Sequence, residues 1–115
     1  MPGSHSRTKG HSFERLIAQE FRDELGFMEA RRHLEYQDGE ANGNDISNVW
    51  PFKVQCKRNR GYASITKIEE IQNKTGEEDI IPLLITKADK KPVMAVLPWE
   101  ELKKLILCAY PLTLA

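Results

Sequence analysis

Four side chains in this sequence are of the types that phosphate chemistry needs: Glu14, Asp45, Gln55 and Lys57. Gln55 and Lys57 lie in "PFKVQCKRNR", where Phe52, Val54 and Cys56 alternate with Lys53, Gln55 and Lys57. A two-residue period marks a half-buried strand, so Gln55 and Lys57 share a face, about 7 Å apart. Gln55 offers an amide carbonyl oxygen and Lys57 an ammonium group. Asp45 opens a strand directly after the glycine-rich "GEANGN". It either makes a turn hydrogen bond or lends its carboxylate to a site. On a helical wheel Glu14 falls between Phe21 and Leu25, inside an apolar arc. It therefore sits at the wet edge of that arc or turns inward toward a cation, a metal or a donor. An Asp carboxylate, a Gln oxygen and a nearby Glu form an oxygen-rich set that suits magnesium or manganese. The lysine would then orient or help deprotonate a water, or steady charge building on a phosphate.

The elements that must position these groups follow from the apolar spacing. Ser12 reads as the N-cap of a helix "FERLIAQEFRDEL" that stops at Gly26, with Phe13, Leu16, Ile17, Phe21 and Leu25 inward. "FMEARRH" reads as a strand, residues 36–44 as a turn or loop, "DISNV" as a short strand and Trp50-Pro51 as a turn. "FKVQCKR" is the next strand and "NRGYAS" a loop. Ser64 caps a helix from Ile65 to about Asn73 with Ile65, Ile68 and Ile71 inward. "DIIPLLITK" is the most apolar strand, and its Pro82 calls for a bulge or an edge. "ADKK" turns the chain into the strand "PVMAVL", and Pro98 starts a final helix, "PWEELKKLIL". The order helix, three strands, helix, two strands, helix predicts one α/β domain, a mixed sheet of about five strands flanked by helices.

Composition agrees with a single small domain: 115 residues, 40% hydrophobic and 30% charged. The 17 basic and 17 acidic residues cancel, so no global charge argues for a polyanion partner. Locally the balance differs, since Pro51 to Lys67 contains Lys53, Lys57, Arg58, Arg60 and Lys67 and no acid, while acids gather at Glu77, Glu78 and Asp79. No apolar run approaches the roughly 18 residues of a membrane span, and "MPGSHSRTKG" has no signal-peptide pattern. Cys56 and Cys108 lack metal-ligand spacing and suggest no disulfide framework, which points to a reducing cytoplasm. Residues 1–6, with their "GSH", are read as a disordered terminus or vector-derived remnant.

Taken in order, helical Glu14, then Asp45, then Gln55-Cys56-Lys57, the residues resemble the PD-(D/E)XK nuclease superfamily. "KGHSFERLIAQEFRDELGF" resembles the opening of archaeal-type Holliday-junction resolvases, and "VQCKR" resembles the Mrr-like restriction endonucleases, in which glutamine replaces the usual acid. The later "IPLLITK" and "PVMAVLPWEEL" continue the pattern, so the likeness covers residues 7–107. It implies a restriction-endonuclease-like fold and a metal-dependent endonuclease that cuts phosphodiesters with Mg²⁺ or Mn²⁺. Glu14 would be a metal-linked acid, Asp45 the central metal ligand, Gln55 the stand-in for the second acid and Lys57 the catalytic lysine. Two departures stand out: Asn44 occupies the motif's proline position, and Gln55 is a neutral amide. Such a site would lean more on Glu14's charge, hold a single metal, or be weakly active.

Arg7, Lys9, Arg15, Arg31, Arg32, Lys53, Arg58 and Arg60 are the candidate phosphate contacts on DNA. Arg31 and Arg32 are adjacent on a strand, so at most one faces the site. Tyr36, Tyr62 and His33 read as structural residues. At this length there is no room for a base-reading domain, so the resemblance implies selection by DNA structure, most simply a four-way junction. Two cuts would require a C2 homodimer, with "IIPLLI" or the tail "LILCAYPLTL" as candidate interface and residues 108–115 as its end. The alternatives are an Mrr-like duplex restriction or repair nuclease, and a catalytically decayed DNA-binding protein of the same fold. The setting implied is the cytoplasm of a prokaryotic, archaeal or phage-infected cell.

Overall fold

The structure, a computed structural model, describes residues 2–33, 45–75 and 79–112, with side chains described for 10–33, 45–71 and 79–112. The stretch expected to be a loop at 36–44, with Tyr36 and Asn44, lies outside these residues, as do Glu77 and Glu78.

Eight elements follow the expected order: α1 (Pro2–Asp23), β1 (Arg31–Arg32), β2 (Ile46–Ser47), β3 (Phe52–Asn59), α2 (Thr66–Thr75), β4 (Ile81–Ala88), β5 (Val93–Val96) and α3 (Trp99–Ala109). The strands form one mixed sheet in the order β1-β2-β3-β4-β5. Only β3 and β4 run parallel, in register from Phe52↔Ile81 to Asn59↔Ala88, and the other pairs are antiparallel. The α2 crossover between β3 and β4 is what a parallel pair requires.

Alternation in β3 divides the core in two. Val54 and Cys56, with Ile46 and Ile85, pack under Phe13, Ile17, Ala18 and Phe21 of α1. Leu84 packs on the other side of the sheet under Ile68 and Ile71 of α2. Full burial of a side chain such as Ile46, Ile71 or Leu84 contributes about 1.5–3 kcal/mol. β4 is covered on both faces, which explains its near-continuous apolar sequence. Within "IIPLLI", Ile81, Leu84 and Ile85 are already buried inside the protomer. Pro82 is accommodated without a bulge. Ile81 N–H points toward β3 and donates to Pro51 O (2.8 Å), so the proline nitrogen faces the β5 side. There β5 pairs only from Leu84 onward, and no ladder donor is missed.

Several boundaries differ from expectation for local reasons. Ser12 is no cap: α1 already runs from Pro2 through Gly10 and Ser12. At the other end Gly26 takes a left-handed φ of 81°, which lets Phe27 N–H donate to Phe21 O at 2.9 Å. The two rings meet edge to face at 5.5 Å, and Arg22 Nη1 donates to Ala30 O at 2.7 Å. Residues 27–30 are thereby folded back on the helix, leaving only Arg31–Arg32 of "FMEARRH" as strand. Leu25 falls beyond the helix end and is 60% exposed, while Leu16 is 47% exposed, so neither belongs to the core. Ser64 Oγ does accept Thr66 N–H (3.3 Å) at the start of α2. Ile65 lies before that helix and is 70% exposed, in contrast to Ile71 at 0%. Trp50-Pro51 is a cis peptide within the expected turn. Cys56 is buried, Cys108 is exposed, and both are free thiols. No helix among the described residues is long and apolar enough to cross a membrane.

Candidate active site

Asp45, just before β2, is held by three hydrogen bonds. Its backbone is clamped from both sides: its N–H donates to Val54 O on β3 (2.7 Å), and its C=O accepts His33 N–H beside β1 (2.8 Å). Its carboxylate then accepts the backbone N–H of Cys56 through Oδ2 at 2.8 Å. The β2–β3 ladder pairs Ile46 with Val54, and at Cys56 a side chain takes the place of a strand neighbour. β3 runs on to Asn59, so Asp45 sits at the rim where the sheet opens.

Glu14 reaches this rim from α1, one residue after Phe13 enters the core. Its Oε2 lies 3.3 Å from Arg32 Nε, with both side chains about four-fifths buried. This is a close ion pair rather than a hydrogen bond, since Nε makes no hydrogen bond among the described residues. Arg32 shares its register with Ile46, whose face is covered by α1, whereas Arg31 is exposed. One arginine of the pair therefore faces the site, as strand geometry requires.

Burial pushes the Glu14 carboxyl up from 4.5 to about 7, and the negative charge of Asp45 pushes in the same direction. Arg32, Lys57 and Arg15 pull it back in that order of strength. The same neighbourhood reaches Cys56: burial raises its thiol pKa strongly, helped by Asp45 and Glu14 and opposed by Lys57. The thiol is a core group and no nucleophile near neutral pH. Glu14, Asp45 and Lys57, drawn from three separate elements, thus act within one field.

Gln55 is placed differently. It registers with Leu84, on the face that α2 covers, and its Oε1 is buried with no hydrogen-bond partner among the described residues. Lys57 rises from the same face of β3 by alternation. The candidate site therefore straddles the rim of β3 instead of lying on one floor.

The remaining candidate cations are spread widely. Arg15 is exposed beside Glu14, and Lys53 is half-buried on the Gln55 face. Arg58 Nη2 lies 3.8 Å from Asp89 Oδ1, and Arg60 is exposed beyond the end of β3. Arg7 and Lys9 lie in α1, with side chains outside those described. His33 Nδ1 is 3.0 Å from Ser47 Oγ, and Tyr62 Oη donates to Pro92 O at 2.7 Å, so both have structural duties. Two features were not read from the sequence: the backbone N–H that aims Asp45, and Arg32 as the counter-ion of Glu14. Alternation could have suggested the second, since it restricts the site to one of Arg31 and Arg32.

The oxygen donors Glu14, Asp45 and Gln55 are of the types that a hard divalent cation takes. Glu14 lies near enough to Asp45 for that charge to raise its pKa, and carboxylate and amide oxygens are the donor types that suit Mg²⁺ or Mn²⁺. Among the described residues no three His, Cys, Asp or Glu side chains form a metal-holding group. A cation here would rest on Glu14, Asp45 and Gln55 with water and substrate oxygens, a pattern magnesium commonly accepts. No family model, curated protein or solved structure matches the chain.

Proposed function

We propose that this protein is a metal-dependent, structure-selective DNA endonuclease of the PD-(D/E)XK type, most simply a Holliday-junction resolvase. The observation that carries the reading is the convergence on Asp45. A backbone N–H aims its carboxylate, and Glu14 and Lys57 share its field. That arrangement has more order than a solvated strand face needs.

In this reading Glu14, Asp45 and Gln55 would hold the cation. When bound, Mg²⁺ or Mn²⁺ supplies Lewis acidity at the phosphoryl oxygens and makes water a competent nucleophile near neutral pH. Asp45 keeps its carboxylate in one orientation through the Cys56 N–H. Lys57 offsets negative charge growing on the phosphate. Glu14 must be ionised and give up its contact with Arg32, which leaves the arginine available to a phosphate oxygen. Paired cuts require two copies. The exposed Trp99, Ile106, Leu107 and Tyr110 of α3 and its end, which contributes no buried residue to the protomer, are the proposed dimer surface. The setting is the cytoplasm of a prokaryotic, archaeal or phage-infected cell.

One observation favours a second reading, a decayed nuclease fold that binds DNA without cutting: Arg32 already neutralises Glu14, and Gln55 carries no charge. Cleavage of labelled four-way junction, flap and duplex DNA in Mg²⁺ and in Mn²⁺ separates the readings. Junction cutting supports the resolvase, preference for plain duplex supports an Mrr-like enzyme, and binding without cutting in either metal removes the enzyme. Gln55→Glu sharpens the result, because an active site changes its metal preference and a decayed one does not.

A further inference from the structure

The loop after β3 and the turn between β4 and β5 are tied into one surface. Asp89 N–H donates to Arg60 O at 3.2 Å, and Lys91 N–H closes the turn on Ala88 O at 3.1 Å. Tyr62 Oη donates to Pro92 O at 2.7 Å, and Lys87 Nζ donates to Lys91 O at 2.9 Å. Residues 57–62 and 87–92 together hold six lysines and arginines and a single acid, Asp89, in a chain whose charges balance overall. Arg58 engages that acid. Arg60, Lys90 and Lys91 are exposed and form no ion pair among the described residues.

Lys90 has a φ of 60°. It is the third residue of the turn closed from Lys91 to Ala88, a position where glycine or asparagine is the unstrained choice. A rigid mount, a cation at a strained backbone position and an excess of unpaired positive charge together describe a surface built for a polyanion. Arg60, which the turn engages, lies three residues beyond Lys57, about 10 Å of extended chain.

We infer that the β4–β5 turn, through Lys90 and Lys91 with Arg60 beside them, is a second anchoring surface for the phosphate backbone of DNA. The choice of DNA as the polyanion rests on the nuclease reading. The contacts fix where the backbone lies relative to Lys57 and carry no base information.

The test is binding of a fluorescein-labelled four-way junction in EDTA, followed by anisotropy across a sodium chloride series. The variant is Lys90→Gly with Lys91→Gln; glycine suits the left-handed φ, so the fold is retained, and an unchanged thermal melt checks it. The expected result is weaker binding and a salt slope of log K reduced by about 2, near 0.9 per lost phosphate contact. Restoring arginine at both positions should recover the slope. An unchanged slope overturns the proposal. So does an equal loss on replacing Lys67 and Lys104 of α2 and α3 by glutamine, which would reduce the effect to net charge. Wild-type protein that binds but never cuts ends the nuclease reading and leaves the slope comparison decisive for the turn. Wild-type protein that binds no DNA ends both.

Discussion

The rim around Asp45 and the turn around Lys90 are neighbours along β3, yet they hold charge in opposite ways. At the rim the charges are mostly withdrawn from water and set against one another, so that the Glu14 carboxyl is raised to about 7 by burial and by Asp45. At the turn Lys90 and Lys91 are exposed on a hydrogen-bonded backbone, and the one acid there, Asp89, is engaged by Arg58. Low dielectric makes each charge at the rim matter individually, whereas screening makes charges at the turn matter by number. Substitutions at the rim should therefore act as switches and those at the turn as graded, salt-dependent losses.

The largest effect expected is at Asp45. Asp45→Ala removes the carboxylate and leaves Cys56 N–H unaccepted, and cleavage should fall by roughly 10³-fold or more while junction binding in EDTA survives. Single-turnover cleavage beside anisotropy measures both. Undiminished cutting would break the contrast at its strongest point. Lys57→Met keeps the stem and deletes the charge, and should lower the single-turnover rate by about 10²–10³-fold with little change in the salt slope. A slope change as large as that at the turn would make Lys57 an anchor instead.

A smaller effect is the pH dependence. A raised carboxyl pKa means that the fold favours the protonated acid. The stabilising contribution of Glu14 is complete below 4.5 and is lost as pH rises through about 7. Cleavage has the opposite sign, because a cation needs the ionised acid: the rate should climb through pH 7 and level above it. Removing Arg32, which pulls this pKa down, should move the limb to higher pH, and Arg32→Gln assayed from pH 5.5 to 9 checks the direction. A flat profile in both proteins would take Glu14 out of the site.

The smallest effect is at Arg58, whose 3.8 Å pair with Asp89 is partly exposed. Arg58→Gln should shift stability by no more than about 0.5 kcal/mol in a denaturant titration. A larger loss would mean that the turn depends on its ion pair more than on its hydrogen bonds.

Much of this was legible because the chain writes burial into local periods. The alternation from Phe52 to Lys57 gave both the strand and the separation of Cys56 from Gln55 and Lys57, and the element order gave the five-stranded sheet. Residues set by crossings between distant segments were not legible. Ile65 and Ile71 look equivalent by spacing, but Ile65 stands before α2 begins and stays in solvent. "FMEARRH" has the residues of a strand, but Phe27 is drawn back onto Phe21 and shortens it to two residues. The Glu14 anomaly was visible on the wheel. Its counter-ion was not, because that depends on where β1 passes α1.

The hydrogen bond from Cys56 N–H to Asp45 Oδ2 also makes one backbone amide a spectroscopic reporter of the rim. An amide proton aimed at a carboxylate is deshielded while that carboxylate carries full charge, and the deshielding weakens when a proton or a metal ion withdraws electron density from it. In an ¹⁵N-labelled sample the Cys56 cross-peak would follow occupancy of the site through a titration, with no substrate present and no turnover needed. Because the thiol beside it does not ionise near neutral pH, that resonance would move for Asp45 and its immediate partners alone.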